Sequence, residues 1–392
     1  MKIKYVYKDF ETDDVREIVY NNKLEENTKY IFSEYLPYQV FVTRDTFFKD
    51  LTIKVDEGFY PDKQVPIEKD FSLKESFDDY FKNRPPIVGY YAAACSGGID
   101  SSVVSLLTKP DLVYTGYYSE PGYSEVPFAN LIAEKINSKH FTTEITEEDY
   151  IKSINDFLKN ICIPIGGMGG ISEYICLKRM SEAFGMNNVL FGNGGDEVFL
   201  GYFYNHMILY LMNVAETEHA YMENFKPARK SFVYDNIDIF IERLINRGYA
   251  FNGVSAVTDR LKNNDNLINK MFDININVTL PSLLHLNNQM CKAMKVEGYN
   301  PLSNQSLFDR AVSINKDLSE KTKKALIDMC PELPQAIVDR KDKFGFPIPF
   351  HKWDVLNAMM REAVEKTGEN FTGINRRSWG IFMIDRWRRV FG

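Results

Sequence analysis

The first half of the chain alternates between short apolar runs and segments whose apolar residues recur at helical spacing. The apolar runs predict strands at 87–95, 112–118, 139–144 and 188–191, and the helical spacing predicts helices at 101–108, 125–137, 147–160 and 172–184. A Gly-rich loop at 166–170 precedes the last of these helices. Buried strands that alternate with helices are typical of a parallel sheet that is covered by helices on both faces.

The two ends of the chain have different patterns. Residues 1–75 show strand-like alternation and turns, and a predicted helix at 72–81 is stopped by Arg84-Pro85-Pro86. Beyond residue 200 the pattern is nearly all helical, with long amphipathic stretches at 233–247, 256–273 and 282–294. We therefore expect a small β-rich N-terminal segment at 1–75, and an α/β domain with a mostly helical C-terminal region at 76–392.

Composition narrows the class of protein. The 392 residues carry a net charge of −7, which argues against a nucleic-acid partner. The short Lys/Arg clusters near 320–324, 340–343 and 376–389 are interpreted as solvated helix faces. The chain shows no pattern of a signal peptide or a membrane span, and its five cysteines are scattered. These features predict a cytoplasmic enzyme without a membrane partner.

Two glycine-rich loops follow predicted strands and carry the candidate chemistry. The first is Ser96–Ser101, "SGGIDS". The second is Gly192–Glu197, the first six residues of the stretch Gly192–Gly201, "GNGGDEVFLG". In an open parallel sheet, ligands bind at the carboxyl ends of the strands, so both loops are candidates for one site.

The first loop has the features of a phosphate site. Gly97 and Gly98 allow close backbone approach, Ser96 and Ser101 add hydroxyls, and a helix N-terminus favours an anion. Asp100 would repel a polyphosphate unless Mg²⁺ lay between them, with Asp196 as a second carboxylate. Taken alone, the same residues also fit a simple helix cap with Asp100 and Asp196 in the first turns of their helices. Neither the Walker A spacing nor G-x-G-x-x-G is present.

"SGGIDS" resembles the PP-loop of the ATP pyrophosphatases, and three further stretches resemble the synthetase domain of the asparagine synthetase family. "GNGGDEVFLG" is similar to G-E-G-x-D-E-[LV]-F-x-G, and 343–349 with Trp353 is similar to K-x-G-F-x-x-P…W. Residues 297–302 stand where the family has E-x-R-x-P-F, and residues 35–60 resemble the segment that joins the family's glutaminase and synthetase domains. The set runs in order over about residues 35–390.

The resemblance implies a reaction and a set of site residues. A carboxylate attacks the α-phosphorus of ATP, pyrophosphate leaves, and an amine or ammonia then displaces AMP to form an amide.

Asp100 and Asp196 would hold Mg²⁺, and Lys343 would close over the reacting groups. Arg340 and Lys341 are expected to be solvated neighbours of little consequence. Glu197 would pair with a nearby base. The pyrophosphate would be held by Ser96, Gly97, Gly98 and Ser101, and the adenosine by Ala94, Thr115 and Gly192. For Ala94 and Thr115, a plain role as buried strand residues is equally consistent with the sequence.

The departures from the family pattern concern the substrate. Lys2 stands where the family's glutaminase domain has its catalytic cysteine, and that domain is not expected here. Three charged family positions have become Asn193, Tyr299 and Asn288, which argues against aspartate as the substrate. We expect a small-molecule or carrier-bound carboxylate, and an amine or ammonia that a separate protein could deliver. A PP-loop enzyme acting on tRNA and an inactive scaffold of a biosynthetic complex are the alternatives, and the sequence does not determine the oligomeric state.

Overall fold

A five-stranded parallel sheet organises the molecule. The computed structural model describes residues 1–82, 84, 87, 89–202, 205, 260, 266–315, 323–340 and 348–392. The strands lie in the order β6-β5-β4-β7-β8, and every neighbouring pair is parallel. Their bounds are β4 Tyr91–Ala94, β5 Leu112–Tyr117, β6 Lys139–Glu144, β7 Asn188–Leu190 and β8 Glu297–Tyr299. The predicted α/β class with a parallel sheet is therefore confirmed.

A second, antiparallel sheet of three strands forms the N-terminal segment, in the order β2-β1-β3. Its strands are β1 Ile3–Tyr7, β2 Phe10–Thr12 and β3 Leu51–Val55. Alternating apolar residues such as Ile3 and Tyr5 are buried, while Lys4 between them is exposed. This is the period-two pattern of a sheet with one buried face.

The helices follow the sequence pattern closely where the structure describes them. Those before β7 are α1 Val15–Val19, α2 Thr28–Tyr30, α3 Leu36–Tyr38, α4 Leu73–Lys82, α5 Ile99–Thr108, α6 Val126–Lys135, α7 Glu147–Ile161 and α8 Gly169–Phe184. Those after it are α9 Gly195–Val198, α10 Leu267–Phe272, α11 Leu280–Met294, α12 Gln305–Phe308, α13 Ala311–Ile314, α14 Lys324–Asp328, α15 Gln335–Val338, α16 Asp354–Glu365 and α17 Arg376–Phe391. Turns of π-helix occupy Ile31–Tyr35 and Asp273–Thr279, and 3-10 turns occupy Pro61–Lys63 and Phe350–Lys352.

Local sequence signals explain several helix ends. A reciprocal capping box of Thr146 and Asp149 starts α7, because each side chain accepts the other residue's backbone N–H. Gly185, at φ 59°, ends α8 in the left-handed conformation that favours glycine. These ends leave a short connection into β7 and fix the direction of α8 relative to the sheet.

Two differences from the predicted elements stand out. The strand predicted at 87–95 is regular only at Tyr91–Ala94. β8, which has only three residues, lies in the part of the chain that was expected to be nearly all helical. The helix predicted at 233–247 and most of that at 256–273 lie outside the described residues.

A buried polar network joins the N-terminal sheet to α11. His285 Nε2 lies 3.0 Å from the Ile163 carbonyl, so this nitrogen donates, and Nδ1 accepts from the Tyr5 hydroxyl at 2.6 Å. Gln289 accepts from the Val15 N–H at 3.1 Å and donates to Tyr5 at 3.2 Å. Burial lowers the pKa of His285 to about 4, so the ring is neutral. The buried residues of the two parts form one hydrophobic core, and the expected boundary at 75/76 falls inside α4.

The strand order determines where a ligand can bind. The chain moves from β4 to β5 and β6 on one side, and then crosses to β7 and β8 on the other. Ligands of open α/β sheets bind outside the carboxyl ends of the strands at such a reversal, which here lies between β4 and β7. None of the described helices combines the length and the apolar character that crossing a bilayer requires.

Candidate active site

The turn after β4 is shaped by its first glycine. Gly97 has φ 63°, and a Cβ on it would lie 2.3 Å from the Cβ of Phe128. Ser96 Oγ accepts the Gly98 N–H at 3.3 Å, and Ser101 Oγ donates to the Gly98 carbonyl at 3.2 Å. The turn therefore leads directly into the ten-residue α5, whose first N–H groups and dipole favour an anion.

The loop after β7 packs directly against this turn. A Cβ on Gly195 would lie 2.2 Å from Cγ of Asp100, and one on Gly192 would lie 2.8 Å from the Ser101 nitrogen. Gly194, at φ 105°, turns the chain over Leu302. Only residues without a side chain permit this contact, so the glycines bring the acidic ends of both loops together.

Lys323 joins the two carboxylates that the sequence assigned to Mg²⁺. Its ammonium donates to Asp100 and lies 2.7 Å from Oδ1 of Asp196. The lysine side chain is only 12% exposed. Burial alone would lower its pKa, but the charges of Asp100 and Asp196 outweigh burial and raise the pKa above its usual value.

The carboxylate pair fits a divalent cation. Two carboxylates that share one ammonium are close enough to share one metal ion, and one or two carboxylates with phosphate oxygens are typical of bound Mg²⁺. The expectation that the cluster at 320–324 is a solvated face is wrong for Lys323. Its cluster offers only a run of basic residues, and no signal in it distinguishes this lysine from its neighbours.

Arg340 corrects a second expectation. It was expected to be solvated, but its side chain is only 6% exposed and lies under the turn after β4. Nη1 donates to the carbonyls of Ser96 at 3.2 Å and Gly97 at 3.4 Å, and Nη2 lies 3.0 Å from Glu125. The guanidinium also lies over Phe128, 4.1 Å from the ring centroid. A planar fork of five donors is suited to such a cluster of acceptors.

Glu197 stabilises the second loop. Its carboxylate accepts the Gly194 N–H at 2.9 Å and the Tyr202 hydroxyl. Burial and the nearby charge of Asp196 raise the pKa of Glu197 to about 7. Among the described residues its partners are thus a backbone N–H and a hydroxyl rather than the expected base.

The strand residues assigned to adenosine differ in exposure. Ala94 is partly exposed at the carboxyl end of β4. Thr115 is buried, and its hydroxyl donates to the Cys95 carbonyl at 2.6 Å and lies 2.9 Å from His140 Nε2. The Thr115 hydroxyl is thus already hydrogen-bonded within the sheet, and any contact of this residue with adenosine would come from its backbone.

The Asn193 side chain points toward α11. Its amide donates to Oδ1 of Asn287, whose own amide donates to Oε1 of Glu173 at 3.0 Å. The sequence assigned Asn288 to this side, but the contact is made by Asn287, one position earlier. Successive helical residues point about 100° apart, which explains why a one-residue offset matters.

Tyr299, on β8, makes its contacts apart from the group formed by Asn193, Asn287 and Glu173. The residue is 2% exposed, and its hydroxyl donates to Asn188 at 3.4 Å, with its ring 5.9 Å from that of Phe81. Asn188 is the first residue of β7, so the hydroxyl lies toward the amino ends of the strands. Lys343, the remaining assigned residue, lies outside the described residues.

The sheet order and the glycine-rich turn after β4 are those of a PP-loop α/β domain. A family model described as "Asparagine synthase" matches residues 82–377, and the chain belongs to that family. The family predicted from the sequence motifs is therefore confirmed.

Individual relatives match parts of the chain. Asparagine synthetase B [glutamine-hydrolyzing] of Escherichia coli (strain K12) is 26% identical over 152 residues, 34% of this chain and 27% of that protein. A putative asparagine synthetase [glutamine-hydrolyzing] 1 of Methanocaldococcus jannaschii is 27% identical over 215 residues, 47% of this chain and 38% of that protein. The chain thus spans between about a quarter and two fifths of the length of these relatives.

A solved structure shows a distant likeness. The U34-tRNA thiolase NcsA from Methanococcus maripaludis, with its [4Fe-4S] cluster, aligns with a TM-score of 0.31 and 13% identity. The alignment covers 81% of this chain and 78% of that one.

Proposed function

We propose that this protein is an ATP-dependent ligase that adenylates a substrate carboxylate and transfers the acyl group to an amine or ammonia. One observation carries the proposal. Asp100 and Asp196 come from two loops at neighbouring strand ends, and both contact the ammonium of Lys323 beside the N-terminus of α5. This arrangement suits the polyphosphate of a nucleotide and a divalent ion.

The first step is attack of a carboxylate oxygen on the α-phosphorus. The bond from this phosphorus to the bridging oxygen breaks, and pyrophosphate leaves with the electron pair. Ser96, Gly97, Gly98 and Ser101 hold the leaving pyrophosphate with N–H and hydroxyl groups, aided by the dipole of α5. Arg340 fixes the backbone of this turn from below. Mg²⁺, held by Asp100 and Asp196, would neutralise charge on the phosphate oxygens.

The second step is attack of a neutral amine on the acyl carbon. The bond from this carbon to the phosphate oxygen breaks, AMP leaves, and the nitrogen loses a proton to complete the amide. We assign to Lys343 the charge that offsets the developing oxyanion, as its motif implies. Lys323 is a second cation of the site, and its ammonium lies between the carboxylates of Asp100 and Asp196.

Exchange of labelled pyrophosphate into ATP tests the proposal without an amine. We expect exchange to depend on one member of a panel of carboxylates, and to be about 10²-fold slower in the Asp100→Asn variant. Tight nucleotide binding with no carboxylate-dependent exchange would contradict a ligase and favour a scaffold. Aspartate is expected to be a poor member of the panel, since Asn193 offers no charge to its second carboxylate or its ammonium.

A further inference from the structure

Glu173 is a carboxylate in the second turn of α8 that the proposed reaction has not used. It is half-buried, and Asn287 donates to its Oε1 at 3.0 Å. Within the described part of the chain this is its one hydrogen-bond partner, and no lysine, arginine or histidine forms an ion pair with it. The charge therefore lacks a compensating cation among these residues.

The direction of α8 places Glu173 near the ligand edge of the sheet. α8 ends at Gly185, and β7 begins at Asn188 on the amino edge, so the first turns of α8 lie toward the carboxyl edge. The side chains of Asn193 and Asn287 then form a continuous link from the loop after β7 to Glu173. Glu173 is thus linked to Asn193, which the sequence assigned to the substrate side of the nucleotide loops.

The surroundings of Glu173 are neutral. The titratable groups near it are Tyr114 on β5, Cys176 on α8 and Cys291 on α11, and burial raises the pKa of each. The Tyr114 hydroxyl is itself buried and has no hydrogen-bond partner among the described residues. Burial raises the pKa of Glu173 to about 7, only partly opposed by Asn287. A carboxylate in such a place is stabilised when a cation binds to it.

We propose that Glu173 binds the ammonium form of the amine substrate and accepts one of its protons. The inference rests on the proposed ligase function and identifies the residue that recognises the nitrogen substrate. The ammonium transfers a proton to the Glu173 carboxylate, which becomes a neutral carboxylic acid. The resulting amine carries the lone pair that attacks the acyl carbon. The bond from that carbon to the phosphate oxygen breaks, and the AMP phosphate leaves with the electron pair and takes up the second proton of the nitrogen. A base whose pKa lies near the working pH is suited to this transfer.

A first test needs no knowledge of the carboxylate substrate. The protein is labelled with ¹³C at the glutamate carboxyl groups, and the Glu173→Gln variant identifies the Glu173 resonance. We expect methylammonium chloride to lower the titration midpoint of this resonance by about one pH unit or more. Tetramethylammonium chloride, which has no N–H to donate, is the matched control for ionic strength. An unchanged midpoint in methylammonium would overturn the inference.

A second test separates binding of the amine from adenylation. With a carboxylate from the exchange screen, we expect Glu173→Gln to keep pyrophosphate exchange but to slow ammonium-dependent amide formation by about 10²-fold or more. Hydroxylamine, which is already neutral at neutral pH, should restore most of the rate. Glu182→Gln, on the exposed face of the same helix, should behave as wild type.

The outcomes distinguish the two proposals. Loss of exchange in Glu173→Gln, or undiminished use of ammonium, would refute a role in handling the amine. A wild-type protein with no exchange on any carboxylate would refute the ligase function instead, and the methylammonium titration would still decide whether Glu173 binds an ammonium group.

Discussion

Arg340 and Ser96 are 244 residues apart in sequence, and the guanidinium of one donates to the carbonyl of the other at 3.2 Å. The arginine lies directly before the stretch that contains Lys343. One buried side chain therefore ties the turn that would hold pyrophosphate to the end of the described stretch 323–340.

Arg340→Ala should destabilise the protein, because it removes the buried guanidinium that lies 3.0 Å from the buried carboxylate of Glu125. Breaking a buried pair in this way costs about 3–5 kcal/mol in the free energy of unfolding. Pyrophosphate affinity, measured by calorimetry at a temperature where the variant is folded, should fall as well. Lys152→Ala removes an exposed pair with Glu148 and should change the free energy of unfolding by about 0.5 kcal/mol or less. Equal effects of the two variants would contradict the buried role of Arg340.

Asp100→Asn and Asp196→Asn should each reduce the pyrophosphate-exchange rate by about 10²-fold and raise the Mg²⁺ concentration that is needed. The reason is that both carboxylates meet at one cation position. Rates are measured over a Mg²⁺ titration with saturating ATP. Asp328→Asn is the control, because Asp328 is exposed and pairs with Lys324. A normal rate at limiting Mg²⁺ in either site variant would refute the metal assignment.

Lys323→Met should make the stability of the protein more dependent on Mg²⁺. Without its ammonium, Asp100 and Asp196 repel each other, and a metal ion that binds both no longer competes with the lysine. We expect a larger increase in melting temperature on Mg²⁺ addition than in wild type. Lys324→Met is the adjacent control, since Lys324 is 42% exposed and pairs with Asp328. If the metal stabilises both variants equally, Lys323 and Mg²⁺ do not compete for one position.

His285→Gln should flatten the dependence of stability on acid pH. The folded pKa of about 4 lies below the usual histidine value of 6.5, so the unfolded state binds more protons between these values. This contribution to stability is fully present above pH 6.5 and is lost as the pH falls toward 4, which amounts to roughly 3 kcal/mol. Denaturant unfolding across this range measures the difference between wild type and variant. His351→Gln, at an exposed position, should leave the wild-type profile unchanged.

The sequence was sufficient for features that depend on neighbouring residues. The strand at Lys139–Glu144 and the helix ending at Phe184 were predicted within a few residues, because hydrophobic period and glycine caps are local signals. β8 was missed, since three residues hold too little periodicity to distinguish a strand from a helix end. The alternation of elements also placed both glycine-rich loops correctly at the carboxyl ends of strands.

The partners of the site residues could not be predicted in the same way. Lys323 and Asp100 are separated by 223 residues, and Asn287 and Glu173 by 114. Such pairs arise from the packing of distant elements, and the spacing of residues along the chain carries no record of them. The burial of Arg340 and the contacts of Tyr299 with Asn188 and Phe81 are further consequences of packing of this kind.

The position of Lys323 also bears on how the protein is made. A ribosome delivers Asp100 and then Asp196 well before Lys323, which follows the first of them by 223 residues. Until the lysine emerges, the nascent chain presents two adjacent acidic loops without the ammonium that later joins them. The site is thus completed late in translation, and a product terminated before Lys323 would lack the ammonium that lies between Asp100 and Asp196.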